Sequence, residues 1–252
     1  MTDAGDRYDV IGRAYAKARR EDPYIARQIH DALGRTGPVV NIGAGTGNYE
    51  PTDRNVVAVE PSMKMIAQRT GRPAPAVQAV AEALPFGDRS FEVALAVITL
   101  HHWTDPVTGL REMARVARRQ VVVYFEPLQT RHFWAFEYFP TSTSLPTVVD
   151  PPGERMLAEQ LELNEIRTVL VPRDCTDGFG VAFWARPEAL LDPGIQAGMS
   201  WLAMLPEADR ARGTARLRSD LASGEWDRRH GHLRNESFFD GGYRIALAGA
   251  GR

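Results

Sequence analysis

The sequence predicts an α/β fold: a doubly wound sheet with cap insertions in its C-terminal half. Three observations carry this. Short apolar runs of strand length alternate with segments of helical periodicity. The first run ends in Gly43-Ala44-Gly45-Thr46-Gly47, and the second ends in Glu60. Two stretches, 127–152 and 172–241, then interrupt the alternation after late strands.

The elements follow in order. Asp22-Pro23 opens a helix, with Asp as cap and Pro at the first helical position. Ile25, Ile29 and Leu33 share one face, and Gly34 ends it. Pro38 to Ile42 reads as a buried strand, and Val56 to Glu60 as a second. Pro61-Ser62 starts a helix carrying Met63, Met65 and Ile66. Ala76 to Ala79 is a third strand and Val93 to Ile98 a fourth. Asp105-Pro106 starts a helix with Leu110, Met113, Ala114 and Ala117 on one face. Arg115, Arg118 and Arg119 read as its solvated C-terminal end, where cations are favoured. Val121 to Phe125, Ile166 to Val171 and Tyr243 to Ala248 complete seven strands.

Composition narrows the class. The chain has 252 residues, 44% hydrophobic and 25% charged, which suits one domain with a cap. A net charge of −2 gives no basic face for nucleic acid. The single cysteine, Cys175, leaves no disulfide framework and fits a reducing compartment. The polar start, Met1 to Arg20, has no signal-peptide core, and no apolar run is long enough to span a bilayer. A cytoplasmic protein, monomer or homodimer, is expected. His230-Gly231-His232 lacks a third metal ligand and reads as a surface loop, so no metal is expected.

The glycine loop and Glu60 together predict a nucleoside site. Glycines let a ligand approach backbone N–H groups, and an acid ending the second strand can accept both ribose hydroxyls. A nicotinamide fingerprint wants a third glycine where Asn48 stands and a helix to hold pyrophosphate. Only residues 48–55 separate the loop from the next strand, and Pro51 interrupts them. A ligand without phosphates fits better.

These residues carry a resemblance. Asn41 to Gly47, Val59-Glu60-Pro61-Ser62, Ala81 to Phe86 and Ile98-Thr99-Leu100-His101-His102-Trp103 resemble the class I S-adenosylmethionine-dependent methyltransferases, in their small-molecule branch. The similarity runs from about Tyr8 to Glu126. It implies a Rossmann-like seven-stranded sheet with an antiparallel last strand, and S-adenosylmethionine as cofactor. It implies that Asn41, Gly43, Ala44, Gly45, Thr46 and Gly47 lie against the methionine part, with Ile98 nearby. Glu60 would hold the ribose, and Pro61, Ser62, Met63, Val80, Ala81 and Glu82 would border adenine. One departure matters: many relatives place Asp where Val80 stands, so Glu82 or Gln78 would help backbone groups read the base.

The leading segment, residues 1–22, is expected to fold over the cofactor. Tyr8 or Tyr15 would face the sulfonium, which an aromatic ring attracts, and Arg19 would meet the methionine carboxylate. Half-exposed helix residues are the plainer reading. His101 and His102 follow the fourth strand, where a general base is useful near neutral pH. His102 is the first candidate and His101 the reserve; capping a strand end explains both equally well. Aromatics dominate the insertion (Phe133, Trp134, Phe136, Tyr138, Phe139); with Trp103 they suggest an apolar pocket for a planar or hydrocarbon acceptor, and core packing of an amphipathic helix explains them equally well. Glu126, His132, Asp174 and Asp177 are polar candidates nearby. Methylation of protein or RNA, and cofactor binding without catalysis, stay open as alternatives.

Overall fold

The structure, a computed structural model, describes residues 19–249 except 36, 70, 72–73, 131, 146–147 and 149–151. Helix α1 (Pro23–Leu33) begins where Asp22 accepts from the N–H groups of Tyr24 and Ile25. Gly34, at φ 71, ends it. β1 (Val39–Ile42), β2 (Val56–Val59), β3 (Ala76–Val77), β4 (Phe91–Val97) and β5 (Ala117–Phe125) pair in parallel. β6 (Leu163–Pro172) and β7 (Phe238–Gly249) complete one seven-stranded sheet, ordered β3-β2-β1-β4-β5-β7-β6. β7 runs antiparallel to both neighbours, as the resemblance implied.

Alternation along the strands builds two cores. Val39, Leu95, Val121 and Val123 face α1 through its Ile25, Ile29 and Leu33. Val40, Ala94 and Val122 face the opposite way. There they meet Leu110, Met113 and Val116 of α3 (Pro106–Val116), which follows the short α2 (Met63–Ala67). Burying each large aliphatic side chain contributes about 1.5–3 kcal/mol. Helices therefore cover both faces, although no helix joins β1 to β2 or β3 to β4.

Several boundaries differ from the sequence reading. Ala117 belongs to β5, paired with Phe91, because β4 offers it ladder bonds and complete burial. Arg118 and Arg119 are strand residues too. Arg119 donates to the carbonyls of Ala32 and Leu33, so its cation serves the end of α1 rather than α3. β6 and β7 extend beyond their apolar stretches. An edge strand such as β6 tolerates exposed Asn164, Glu165 and Thr168 on its outer side. β3 is only two residues long.

The insertion 127–152 contains α4 (Pro127–Thr130) and α5 (Ala135–Tyr138). α6 (Glu154–Gln160) follows and buries Leu157 in the α3-side core. The second insertion carries α7 (Pro193–Gly198), α8 (Ser200–Ala203), α9 (Glu207–Ser223) and α10 (Glu225–His230). Both insertions share one aromatic core continuous with the α1 face of the sheet. Trp134 donates its indole N–H to the Trp184 carbonyl at 2.7 Å and meets Trp226 edge to face. His230 packs its ring beside Trp134 and Trp226, which corrects its reading as a surface loop. No helix among the described residues is long and apolar enough to cross a membrane. No group of three His, Cys, Asp or Glu among them could hold a metal ion.

Candidate functional site

The strands deliver their carboxyl ends to two cavities. The first, about 110 Å³, lies over β1, β2 and β4. The glycine loop forms its floor, and φ is positive at Gly43, Gly45 and Gly47 (68°, 51° and 90°). A Cβ on Gly43 would sit 2.1 Å from Thr99 Oγ1, so only glycine lets β1 end this close to the β4 loop.

Glu60 is 6% exposed and faces this cavity. Its carboxylate accepts from the N–H of Gly45 (2.8 Å) and of Ser62 (3.0 Å). Burial raises its pKa above the usual carboxylate range, against the pull of these bonds and of Arg69. A carboxylate offers about four lone-pair sites, so two remain for ligand hydroxyls. The acid thus ties the glycine loop to the start of α2 and still presents charge inward.

A second prop lies beneath. Asn41 donates to Glu50, Arg69 pairs with Glu50 at 2.8 Å, and Arg69 reaches the Gly45 carbonyl. Glu50 and Arg69 are almost fully buried. The sequence reading did not single them out, because neither belongs to the glycine motif. Their charges are 19 positions apart and meet only when the loop folds over α2.

Most expected residues line this cavity: Arg19, Asn41, Gly43, Ala44, Gly45, Thr46, Glu60, Pro61, Ser62, Val80, Ala81, Glu82, Ile98, His102 and Trp103. Gly47 and Met63 do not. Gly47 supports the turn by donating to the Ala44 carbonyl. Met63 is 57% exposed, while Met65, two positions on along α2, turns into the cavity instead. Tyr8 and Tyr15 lie outside the described residues. Val80 offers no polar group, whereas Glu82 lines the wall and accepts from the Asp105 N–H. Gln78 is not on the lining and donates to the Pro61 carbonyl.

The second cavity, about 50 Å³, lies beyond β4 and β5 and under the cap. Phe125, Phe136, Phe179, Trp201 and Tyr243 form its walls. Arg19, Ile98 and His102 line both cavities. Ile98 has φ 50°, a conformation that a β-branched residue adopts only under constraint.

The histidine pair divides between the cavities. Residues Leu100–His102 form a single 3₁₀ turn, with the His102 N–H bonded to the Thr99 carbonyl. The two rings are 3.8 Å apart. His101 faces only the second cavity, where burial, and then the Arg19 charge, push its pKa down to about 4. It is neutral over the physiological range and a weak base. His102 stands on the shared wall.

Three expected acceptor residues do not reach either cavity. Phe133, Trp134 and Tyr138 are at least 97% buried in the aromatic core. The Trp134 bond to Trp184 and the Tyr138 bond to Asp220 turn both rings toward the cap. Phe136, from the same expected aromatic stretch, does line the second cavity. Trp103 lies on the first cavity, its ring held against Gly109 of α3, where a Cβ would come within 2.5 Å.

Arg19 is held by Asp177, its Nε 2.6 Å from Oδ1. Tyr49 donates its hydroxyl to the same carboxylate at 2.8 Å. Asp177 is fully buried and comes from the second insertion. The glycine-loop region, the approach to α1 and the cap therefore converge on one carboxylate. Of the remaining polar candidates, Glu126 accepts from the Glu154 N–H; neither it nor His132 or Asp174 lines a cavity.

This sheet order, with its antiparallel seventh strand, matches the Rossmann-like class I methyltransferase architecture. Residues 40–125 match the family model described as a methyltransferase domain. Over this stretch the chain is similar to class I S-adenosylmethionine-dependent methyltransferases. It is 32% identical over 141 residues to a demethylmenaquinone methyltransferase of Mycobacterium sp. (strain KMS), covering 50% of this chain and 61% of that relative. Among solved structures, it matches a protein of Anabaena variabilis described as a methyltransferase from an antibiotic biosynthesis pathway. That match has a TM-score of 0.84 at 28% identity and covers 92% of this chain and 99% of the other. The [4+2]-cyclase SpnF shares the fold, with a TM-score of 0.55 at 14% identity over 99% of this chain and 98% of the other. Fold therefore leaves the reaction to be argued from the site.

Proposed function

We propose that this protein transfers a methyl group from S-adenosylmethionine to a small-molecule acceptor held in the second cavity. One observation carries the proposal: the two cavities share a wall made of Arg19, Ile98 and His102. The first cavity fits the cofactor. Its glycine floor has no room for a Cβ at Gly43, its inward carboxylate suits a ribose diol, and it lacks a pyrophosphate-binding helix.

When bound, the cofactor supplies an electrophilic methyl on a sulfonium. The glycine loop and Glu60 orient it, with the base end toward Val80, Ala81 and Glu82, away from the shared wall. The second cavity aligns the acceptor and excludes water, which supplies much of the advantage in such a displacement. His102 is the base for an acceptor that must lose a proton, because it alone of the pair borders both cavities.

Calorimetry tests the cofactor: S-adenosylhomocysteine is expected to bind and NAD is not. Tight NAD binding without S-adenosylhomocysteine binding overturns the reading. A mass-spectrometric screen for products one methyl heavier tests the reaction, and a methylated protein or RNA would redirect it to a macromolecular acceptor. With the acceptor in hand, His102→Ala is expected to lower turnover by about 10²–10⁴-fold at nearly constant cofactor affinity.

A further inference from the structure

We infer that the second cavity takes a single aromatic ring bearing an anionic oxygen, phenolate or carboxylate, with that oxygen toward Arg19. The inference rests on the methyl-transfer reading for its purpose, and on the cavity itself for its chemistry.

Size sets the first limit. A volume of about 50 Å³ holds on the order of four waters, roughly the room of one six-membered ring. The walls set the second. Phe125, Phe136, Phe179, Trp201 and Tyr243 come from β5, α5, the cap and β7, and enclose the space from several sides. Aromatic faces and edges at such angles favour a flat, apolar guest. Trp201 spends its indole N–H on the Gly180 carbonyl, so its ring is fixed in place.

Charge sets the third. Among the described residues, no carboxylate lines this cavity, and Arg19 is its one permanent cation. The titratable groups facing the guest are His101 and His102 from the turn after β4, Tyr243 from β7, and Arg19 itself. Asp177 stands behind Arg19 as its partner. Arg19 lines the cavity and Asp177 does not, so the guanidinium is the charged group that a guest meets. A guanidinium set in an otherwise aromatic wall stabilises an anion and disfavours an ammonium. On binding, a phenol gives its proton to bulk water, and the O–H electron pair stays on oxygen as the charge Arg19 faces. Most of these walls lie outside residues 40–125, so the ring site belongs to the part of the chain that the family match does not reach.

The test uses the whole protein, with and without saturating S-adenosylhomocysteine. 4-Nitrophenol, whose phenolate absorbs visible light, reports its own ionisation; benzoate, benzylamine and 2-naphthol are the comparison ligands. 4-Nitrophenol and benzoate are expected to bind, with benzylamine and 2-naphthol at least about tenfold weaker. If benzoate alone binds, the oxygen is a carboxylate; if 4-nitrophenol alone, a phenolate. Bound 4-nitrophenol should ionise about one pH unit below the free compound, a tenfold shift that Arg19→Gln removes. Gly180→Ala provides a second variant, because its Cβ would come within 2.7 Å of the Tyr243 hydroxyl on the same cavity wall. It should weaken ring binding about tenfold while S-adenosylhomocysteine affinity holds. Equal benzylamine binding, an unshifted ionisation, or ring binding indifferent to Gly180→Ala overturns the inference. Failure of S-adenosylhomocysteine to bind would instead strike the methyl-transfer reading, because the ligand-free titration tests the ring site separately.

Discussion

The cofactor half and the cap half are built by different means. Residues 40–125 place ligand groups on backbone turns at strand ends, where a few local residues suffice. The cap half places side chains from β5, α5, α8 and β7 around a space that no single segment outlines. The first can be read from a motif; the second exists only after packing. Asp177 joins them, since its carboxylate takes Arg19 from the approach to α1 and Tyr49 from the glycine-loop region.

Cutting that joint is the most severe way to break the comparison. Asp177→Ala leaves the buried Arg19 charge and the Tyr49 hydroxyl without their partner. Loss of about 3–5 kcal/mol is expected in denaturant unfolding. If stability falls by less than about 1 kcal/mol, the two halves do not depend on this carboxylate.

Gly43→Ala strikes the cofactor half alone. Its φ of 68° and the 2.1 Å approach to Thr99 Oγ1 should together cost about 2–4 kcal/mol. Unfolding midpoints check the cost, and normal stability with normal S-adenosylhomocysteine affinity would show that the loop relaxes freely.

Glu60→Gln sharpens the same half. Removing the charge should weaken the cofactor by about 1.5–3 kcal/mol, roughly 10- to 150-fold in Kd. The sign with pH follows from burial. The Glu60 pKa is raised, so affinity should fall on acidification before an ordinary glutamate would titrate. Glu60→Gln should flatten that limb. Calorimetry across pH reads both effects, and an unchanged Kd would place the ribose elsewhere.

The smallest effect concerns His101, which faces the second cavity from the turn after β4. Its pKa is depressed to about 4, so the unfolded chain binds more protons between there and the ordinary value of 6.5. Stability should therefore be full above pH 6.5 and fall as pH drops toward 4. Up to about 3 kcal/mol is at stake, reduced because the ring is partly open to the cavity. His101→Asn should lose this share of the dependence. Identical acid limbs in both proteins would show that His101 does not set it.

The candidate site was legible in proportion to how local it is. Gly43 to Thr46 and Glu60 stand within one strand-loop-strand unit, and the structure places them on one cavity. Met63 and Met65 illustrate the limit: both fit the motif, and the pitch of a five-residue helix decides which one turns inward. Phe133, Trp134 and Tyr138 were legible as an aromatic cluster and not as a wall. Composition cannot tell a ring that fills a core from one that borders a hole.

By itself the sequence determined the alternating strands and helices, the tight glycine turn and the acid beside it. Those follow from periodicity, caps and backbone freedom over a few residues. Tertiary structure alone decided the meeting of Arg19 with Asp177, 158 positions apart, and the cavity that their pairing borders. No local preference encodes such a meeting. It arises because the burial of the cap's aromatic core fixes where distant charges must find partners.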